Sequence, residues 1–270
     1  MGARLMGIVN VTPDSFSDGG EFLDPESAIA HGRQLAAEGA DILDIGGEST
    51  RPGAAAVNAE EELARVGSVI EALARDDGPP ISIDTSKFAV AEAALGAGAA
   101  MVNDVTALRA DPDLAGLCAQ RRCEVVLMHM LGDPRTMQEN PVYEDVVDDI
   151  KAFLAERIEF AISQGIDEDR IWVDPGIGFG KTVEHNLELH RRLGEFADLG
   201  RPIVFGSSRK SFLGKLTGAE VDQRLGGSIA SNVIAYLNGA SMLRVHDVAP
   251  MREALTVADA ILDPERAPAL

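Results

Sequence analysis

Residues 81–104 read ISIDTSKFAVAEAALGAGAAMVND, and this stretch contains one complete repeat of a pattern that runs through the chain. The apolar run Ile81–Ile83 is too short for a helix, and a second such run, Ala100–Val102, follows an alanine-rich segment of helical length. Gly98 comes just after the predicted helix, at the position where a left-handed residue commonly ends one. A strand, a helix and a second strand form the unit of an α/β fold, in which helices cover a parallel sheet.

The same unit recurs from one end of the chain to the other. Eight apolar runs alternate with eight stretches of helical length, so we predict a single (β/α)8 barrel domain over residues 1–270. The predicted strands are Leu5–Val9, Asp41–Ile45, Ile81–Ile83, Ala100–Val102, Val125–Met128, Ile171–Val173, Ile203–Phe205 and Met242–Val245. The predicted helices lie near residues 25–38, 59–75, 87–97, 112–121, 143–164, 183–196, 222–238 and 249–262. A doubly wound open sheet is the alternative, and it is disfavoured because no GxGxxG motif follows the first strand.

Composition excludes several classes of protein. The 270 residues include 44 Asp and Glu against 24 Lys and Arg, a formal net charge of −20. Nucleic acids and anionic membranes need a positive protein face, so we predict neither as a partner. Cys118 and Cys123 form neither a CxxC motif nor a disulfide framework, and neither a leader nor an apolar run of 18 residues is visible. We therefore predict a cytoplasmic protein with free thiols.

Polar or charged residues follow every predicted strand at the point where its apolar run ends. These residues are Asn10, Asp44 followed by the group Glu48 to Arg51, Asp84, Asn103 with Asp104, His129, Asp174, the group Ser208 to Lys210, and the group Arg244 to Asp247. Asp and Asn are also common turn formers and helix caps, which would explain any one of these positions. In a (β/α)8 barrel, however, sites form at the C-terminal ends of the strands, so eight polar ends out of eight favour a small-molecule site.

Two subsets of these residues indicate what the site binds. The two carboxylates and one carboxamide of Asp84, Asn103 and Asp174 suit a heterocycle with several N–H donors, and Mg²⁺ is the competing ligand. A second subset is cationic and comprises Arg51, Arg209, Lys210, Arg244 and His246. Cations gathered on one rim of so negative a chain indicate a site for phosphate or diphosphate. Ion pairing with the many carboxylates is the alternative for each of them.

Glycine-rich segments follow three of the predicted strands. The long loops after strands 1 and 2, NVTPDSFSDGG at 10–20 and GGESTRPG at 46–53, are typical of lids or binding loops. The segment PGIGFGKT at 175–182 resembles a phosphate-binding P-loop, but Pro175 occupies the position of the required first glycine. Its glycines instead favour close approach of the backbone to a flat ligand, with Phe179 available to pack on it.

The sequence alone identifies no catalytic nucleophile. His31, His185 and His190 fall in or beside predicted helices, where we expect them at the surface. His129 follows a strand, and a role as a base and a structural role are equally open. Leaving-group stabilisation without a protein nucleophile is therefore the favoured chemistry.

Eight motifs, taken together and in order, resemble the dihydropteroate synthase family over nearly the whole chain. They are MGIVNVTPDSFSDGG, DIGGESTRPGA, ISIDTSK, VNDV, LMHMLGDPRTMQ, DPGIGFGKT, SSRKSFLG and LRVHDV. The resemblance implies a (β/α)8 barrel, usually a homodimer, that acts in folate synthesis. It also implies the reaction of 4-aminobenzoate with 6-hydroxymethyl-7,8-dihydropterin diphosphate, with release of diphosphate. Sulfonamides are then expected as competitive ligands.

The same resemblance implies a role for individual residues. The pterin ring would contact Asp84, Asn103, Asp174, Lys210 and Phe179. The diphosphate would contact Asn10, Arg244 and His246, with Mg²⁺ at Asn10. The 4-aminobenzoate pocket would be framed by Phe16, Thr50, Arg51, Pro52 and Ser208. The catalytic residues would be Asp18, Arg51, Asp84 and Lys210, with Asp18 stabilising a pterin-methyl cation in a dissociative reaction. An inactive paralogue, a pterin-carrying barrel of the corrinoid methyltransferase type and an unrelated phosphate-binding barrel are the alternatives.

Overall fold

The computed structural model describes residues 2–12, 25–50 and 53–263. Within these ranges the chain forms eight strands and nine α-helices that alternate along the sequence. The strands are β1 (Arg4–Asn10), β2 (Ile42–Gly46), β3 (Ile81–Asp84), β4 (Met101–Asp104), β5 (Glu124–Met128), β6 (Ile171–Asp174), β7 (Val204–Phe205) and β8 (Met242–Val245). The helices are α1 (Pro25–Ala37), α2 (Ala59–Arg75), α3 (Phe88–Ala97), α4 (Leu114–Arg121), α5 (Val146–Ser163), α6 (Val183–Arg191), α7 (Ser211–Thr217), α8 (Leu225–Leu237) and α9 (Val248–Leu262).

All strands are parallel, and they close into a barrel. The hydrogen-bonded order is β6-β5-β4-β3-β2-β1-β8-β7, and a single parallel bridge between Val173 and Ile203 connects β6 to the start of β7. At this seam the backbone N–H of Val173 donates to the carbonyl of Pro202 at 3.1 Å. The predicted (β/α)8 barrel is therefore confirmed, and the open sheet is excluded.

Side-chain caps account for where two of the helices begin. The Asp145 carboxylate accepts the N–H groups of Val147 and Asp148 at the start of α5, at 2.9 and 3.0 Å. The Asn58 side chain accepts the N–H of Glu61 at 2.8 Å at the start of α2. Each bond satisfies an N–H group that has no partner within its own helix.

The predicted helices differ from the observed ones between β6 and β8. The predicted helix 183–196 ends at Arg191 and continues as a 3₁₀ helix, Leu193–Leu199. The predicted helix 222–238 begins at Leu225, and α7 was not predicted at all. Seven residues give only two turns, which is too short for a helical repeat of apolar residues to be recognised.

Alternation along the strands divides the barrel interior into two layers. The layer near the strand starts, called here the basal layer, consists of Met6, Ile42, Met101, Val126, Trp172, Val204 and Met242. Side chains two residues apart lie on the same side of a strand. Two positions further on, the inward residues are polar on four strands: Asp44, Asn103, Asp174 and Arg244. This polar layer lies at the end of the barrel where the strands finish, the C-terminal rim.

In the described part of the chain, no helix is long and apolar enough to cross a membrane.

Candidate active site

An arginine held between two carboxylates lies at the centre of the C-terminal rim. Arg244 Nε donates to Asp44 Oδ2 at 2.6 Å, and Arg244 Nη2 donates to Asp84 Oδ2 at 2.7 Å. Asn103 Nδ2 donates to the same Asp44 oxygen at 3.1 Å. Asp44 is fully buried. The polar ends of β2, β3, β4 and β8 therefore form one connected cluster. Asp44 lies at a strand end in the sequence, but nothing local in the sequence indicates that Arg244 reaches it.

Burial and neighbouring charges shift the pKa values of this cluster in opposite directions. Burial raises the pKa of Asp84 to about 7, although the positive charge of Arg244 opposes the shift. Burial also acts to lower the pKa of Arg244, but the carboxylates of Asp44 and Asp84 outweigh it, so the guanidinium pKa rises. Asp84 thus titrates near neutral pH, while Arg244 stays charged.

A second pair of opposite charges, Asp174 and Lys210, lies beside the first. Burial lowers the pKa of Lys210 to about 7, with the Asp174 charge acting against it. Burial raises the pKa of Asp174, and Lys210 opposes that shift. Lys210 Nζ donates to the carbonyl of Ile177 and lies 4.5 Å from the centroid of the Phe179 ring. The lysine and the aromatic ring therefore face the same space.

The glycine-rich segment after β6 is held by side chains at every carbonyl from 177 to 180. The donors are Lys210 to Ile177 O, Gln138 to Gly178 O at 2.6 Å, Lys181 to Phe179 O at 2.9 Å, and Tyr143 to Gly180 O at 2.8 Å. At Gly176, where φ is +69°, a Cβ atom would lie 1.9 Å from the carbonyl oxygen of His129. Only glycine fits there. The backbone that carries Phe179 is therefore fixed in place.

His129 and Lys181 form a buried pair behind this segment. Lys181 Nζ lies 3.0 Å from His129 Nδ1, and both side chains are buried. Burial, followed by the charge of Lys181, lowers the pKa of His129 to about 2, and burial also lowers the pKa of Lys181. His129 is thus buried and neutral near pH 7, with its Nδ1 against Lys181.

The expectation of surface histidines is wrong for His190. Its Nε2 lies 2.6 Å from Ser231 Oγ, its Nδ1 lies 2.6 Å from the carbonyl oxygen of Asn186, and the ring is buried. Ser231 in turn donates to Ser207 Oγ at 2.7 Å, in the segment that leads to Lys210. Hydrogen bonding to α8 allows this histidine to be buried, and helical periodicity alone does not reveal such a partner.

Ser208 and His246 contact each other, a pairing that the sequence pattern does not predict. Ser208 Oγ accepts the backbone N–H of His246 at 3.2 Å and lies 3.0 Å from His246 Nδ1. Arg209, predicted as one of the rim cations, is instead ion-paired with Asp247, with 3.0 Å between Nε and Oδ2. Ion pairing, the alternative given for each cation, is therefore observed for Arg209 and also for Arg244, which is paired with Asp44 and Asp84.

The remaining predicted residues lie at the ends of β1 and β2 or outside the described ranges. Asn10 ends β1 and Thr50 lies four residues beyond β2, and both are half-buried. The predicted residues outside the described ranges are Phe16, Asp18, Arg51 and Pro52. Within the described ranges, no group of three or more His, Cys, Asp and Glu side chains is arranged to hold a metal ion.

Comparison with known proteins agrees with this geometry. Residues 6–246 match the pterin binding enzyme family. The dihydropteroate synthase of Haemophilus influenzae is 45% identical over 254 residues, which cover 94% of this chain and 92% of the relative. Among solved structures, Xanthomonas albilineans dihydropteroate synthase with 4-aminobenzoic acid has a TM-score of 0.91 and 52% identity, and the match covers 97% of this chain and 93% of that one. Yersinia pestis dihydropteroate synthase with a sulfonamide drug has a TM-score of 0.93 and 43% identity, with 97% and 94% covered. The chain therefore belongs to the dihydropteroate synthases, a group of transferases within the family of pterin-binding enzymes.

Proposed function

We propose that this protein joins 4-aminobenzoate to 6-hydroxymethyl-7,8-dihydropterin diphosphate, giving 7,8-dihydropteroate and diphosphate in folate biosynthesis. The observation that carries the proposal is the connected cluster of Asp44, Asp84, Asn103 and Arg244 beside Asp174 and Lys210. Xanthomonas albilineans dihydropteroate synthases in complex with 4-aminobenzoic acid and with 7,8-dihydropteroate are among the similar structures. They support the same substrates here.

The pterin ring would lie over the polar layer. Buried carboxylates and carboxamides are costly unless they are hydrogen-bonded, and the N–H groups of an aminopyrimidinone supply donors for Asp84, Asn103 and Asp174. Lys210 would donate to a ring acceptor. Phe179, fixed by the hydrogen bonds to its segment, would pack against the ring face.

The diphosphate would lie nearer the opening, against Asn10, Arg244 and His246. The bonds to Asp44 and Asp84 use Nε and Nη2 of Arg244, and Nη1 makes no hydrogen bond to any described residue. A guanidinium has five N–H donors, so Arg244 can bind a phosphate oxygen without releasing its carboxylates.

Magnesium fits this arrangement as an ion shared with the substrate. Asn10 contributes a hard amide oxygen, and Mg²⁺ in phosphate sites commonly takes one or two protein oxygens together with phosphate oxygens and water. When bound, Mg²⁺ would offset the negative charge that develops on the departing diphosphate. Asn10 would hold the ion, while Arg244 and His246 would orient the diphosphate.

The reaction we propose is dissociative. The C–O bond to the diphosphate breaks first, and the amine of 4-aminobenzoate then attacks the resulting pterin-methyl cation. Asp18 would stabilise that cation, and the loops at 10–20 and 46–53 would exclude water. The amine would be placed by a pocket formed by Phe16, Thr50, Arg51, Pro52 and Ser208. In this pocket Ser208 Oγ orients the ring of His246 and needs no role as a nucleophile.

Three further features belong to the proposal. Sulfonamides would compete with 4-aminobenzoate, as the sulfonamide complex of the Yersinia pestis relative suggests. A homodimer would bury exposed apolar side chains, of which Ile234 and Leu237 lie one turn apart on α8, and Val257 and Ile261 one turn apart on α9. A cytoplasmic location stays a prediction from the sequence.

Diphosphate release tests the proposal. Purified protein with Mg²⁺ and the pterin diphosphate is expected to release diphosphate and form dihydropteroate when 4-aminobenzoate is added. Omitting 4-aminobenzoate should reduce diphosphate release to the background rate of a protein-free control. Tight binding of the pterin without turnover would contradict the proposal and favour a pterin-carrying module.

A further inference from the structure

The end of the barrel opposite the proposed active site contains a cavity of about 410 Å³, called here the basal hollow. Its walls come from segments that precede or begin strands, including Pro80 and Ile81 before β3, Ala99 and Ala100 before β4, and Cys123 before β5. Small-molecule sites in proteins usually enclose about 300–1,000 Å³, so the hollow is large enough for a small ligand.

Four arginines line the hollow: Arg4, Arg121, Arg122 and Arg170. Glu124, 3.9 Å from Arg4, is the one carboxylate among the lining residues, and Asp167 outside the lining pairs with Arg122 at 3.2 Å, so four guanidinium groups face two carboxylates. A local excess of positive charge is unexpected in a chain of net charge −20. The excess indicates an anionic ligand, since guanidinium groups recognise planar oxyanions.

Two of these arginines have guanidinium N–H groups that make no hydrogen bond with any described residue. Arg121 makes no hydrogen bond or ion pair with any described residue. The side chain of Arg170 lines the hollow and makes no hydrogen bond with any described residue, and its ion pair with Asp167 runs through Nε at 3.5 Å, so its two Nη groups keep their donors. Guanidinium N–H groups that line a cavity without a partner among the described residues are available to a bound oxyanion.

The floor of the hollow is apolar. Ile42 and Met101, which belong to the basal layer, contribute to it together with Ile81 and Leu95. A ligand that matches both this apolar floor and the arginines that line the hollow needs an apolar body and a single anionic group. Inorganic phosphate would leave the apolar floor uncovered.

We propose that the basal hollow binds a small organic carboxylate. Its carboxylate is held by Arg121 and Arg170, and its apolar body lies on Ile42, Ile81 and Met101. The site is separate from the C-terminal rim, so binding at the hollow does not require the proposed reaction.

Trp172 can report on occupancy, because it is the only tryptophan in the chain and lies next to the hollow. Its Nε1 donates to Glu124 Oε2 at 3.1 Å, and the guanidinium carbon of Arg4 lies 5.7 Å from the ring centroid. Both neighbours line the hollow, so an anion bound there changes the electrostatic surroundings of the indole ring.

The test is a titration of Trp172 fluorescence with hexanoate. Hexanol, with the same apolar body, and inorganic phosphate, with charge alone, are the matched ligands. We expect a saturable change with hexanoate and binding at least tenfold weaker for each of the other two. Arg121→Glu should weaken hexanoate binding by about tenfold or more, since it replaces a charged hydrogen-bond donor by a like charge.

Two more variants separate a specific site from general effects. Arg75→Glu makes the same charge change in an exposed residue at the C-terminal end of α2, outside the hollow, and should leave the hexanoate Kd within twofold. Ala100→Phe fills the hollow from an exposed position without altering charge, and should abolish the saturable change. The titration of Trp172 fluorescence with hexanoate is repeated on each variant, so the proposal can still be tested if one variant folds poorly.

Several results would overturn the proposal. They are the absence of saturation with hexanoate, an unchanged Kd in Arg121→Glu, and equal weakening by Arg75→Glu. Displacement of hexanoate by the pterin diphosphate would place the hexanoate at the C-terminal rim instead. Each of these outcomes leaves the test of diphosphate release unaffected.

Discussion

The two ends of the barrel use the same strands for opposite purposes. Ile42 and Asp44 are two residues apart on β2, as are Met242 and Arg244 on β8, and each pair projects from the same side of its strand. The first member of each pair packs in the basal layer, and the second belongs to the charged cluster at the rim. One step of the strand repeat therefore separates the residues that hold the barrel together from those that bind.

The two ends also differ in what their residues contribute to the stability of the fold. Apolar contacts in the basal layer stabilise the fold without any ligand. At the rim, by contrast, the charge of Asp44 is fully buried and those of Asp84 and Arg244 are largely withdrawn from water. Burying an ion pair contributes little or nothing to stability compared with apolar packing. Such a cluster is better explained by ligand binding than by folding.

The largest expected effect comes from breaking the rim cluster. Arg244→Ala leaves Asp44 and Asp84 buried without their counter-charge, which should reduce the free energy of unfolding at pH 8 by about 3–5 kcal/mol. Urea denaturation measures this loss. Arg191→Ala, which removes an exposed ion pair with Glu188 on α6, is the control and should change the free energy by less than about 1 kcal/mol. A loss for Arg244→Ala no larger than for this control would show that the cluster is not buried in solution.

A cavity in the basal layer should affect stability and leave the chemistry intact. Met242→Ala removes a fully buried side chain from the same strand, and should reduce the free energy of unfolding by about 2–4 kcal/mol. The kcat/KM of the folded variant should stay within about threefold of the unchanged protein, because the rim residues keep their contacts. Ile261→Ala, at an exposed position on α9, serves as the control. A Met242→Ala variant of normal stability and reduced kcat/KM would remove the distinction between the two ends.

The smallest effect is a pH dependence of pterin binding. Burial raises the pKa of Asp84 to about 7, so the carboxylate that would accept a ring N–H is ionised above pH 7 and protonated below it. A single group of this kind weakens binding about tenfold per pH unit below its pKa. The Kd of 6-hydroxymethyl-7,8-dihydropterin, measured by calorimetry, should therefore rise by up to about tenfold from pH 8 to pH 6. Protonation of Lys210, whose pKa burial lowers to about 7, strengthens its hydrogen bond to the ring over the same range and opposes this rise.

Asp84→Asn is the matched control for this dependence. The amide keeps the shape of the side chain and does not titrate, so Kd should rise much less over the same pH range even if the variant binds more weakly throughout. An equal slope in both proteins would assign the pH dependence to another group. Asp174, whose pKa burial also raises, would then be the next residue to replace, because it too loses its charge as the pH falls.

The sequence by itself determined the barrel and the residue types at its rim. Short apolar runs and stretches of helical length are local features, so their alternation can be recognised from the sequence. The glycine that ends α3 is a local feature of the same kind. Because the parallel strands of a barrel end on one rim, the alternation of strands and helices was enough to place Asp84, Asn103 and Asp174 at that rim. The family motifs added the expected roles of these residues, and those roles stay predictions.

Only the tertiary structure decided which charges meet. Arg244 and Asp44 are 200 residues apart, and the sequence contains nothing that pairs them. The same holds for Lys181 beside His129, for the ion pair of Arg209 with Asp247, and for the burial of His190. Periodicity shows the side of a strand or helix on which a residue lies. Closure of the barrel sets the distance between side chains from different strands, and with it their burial, their pKa values and the ligands that they can bind.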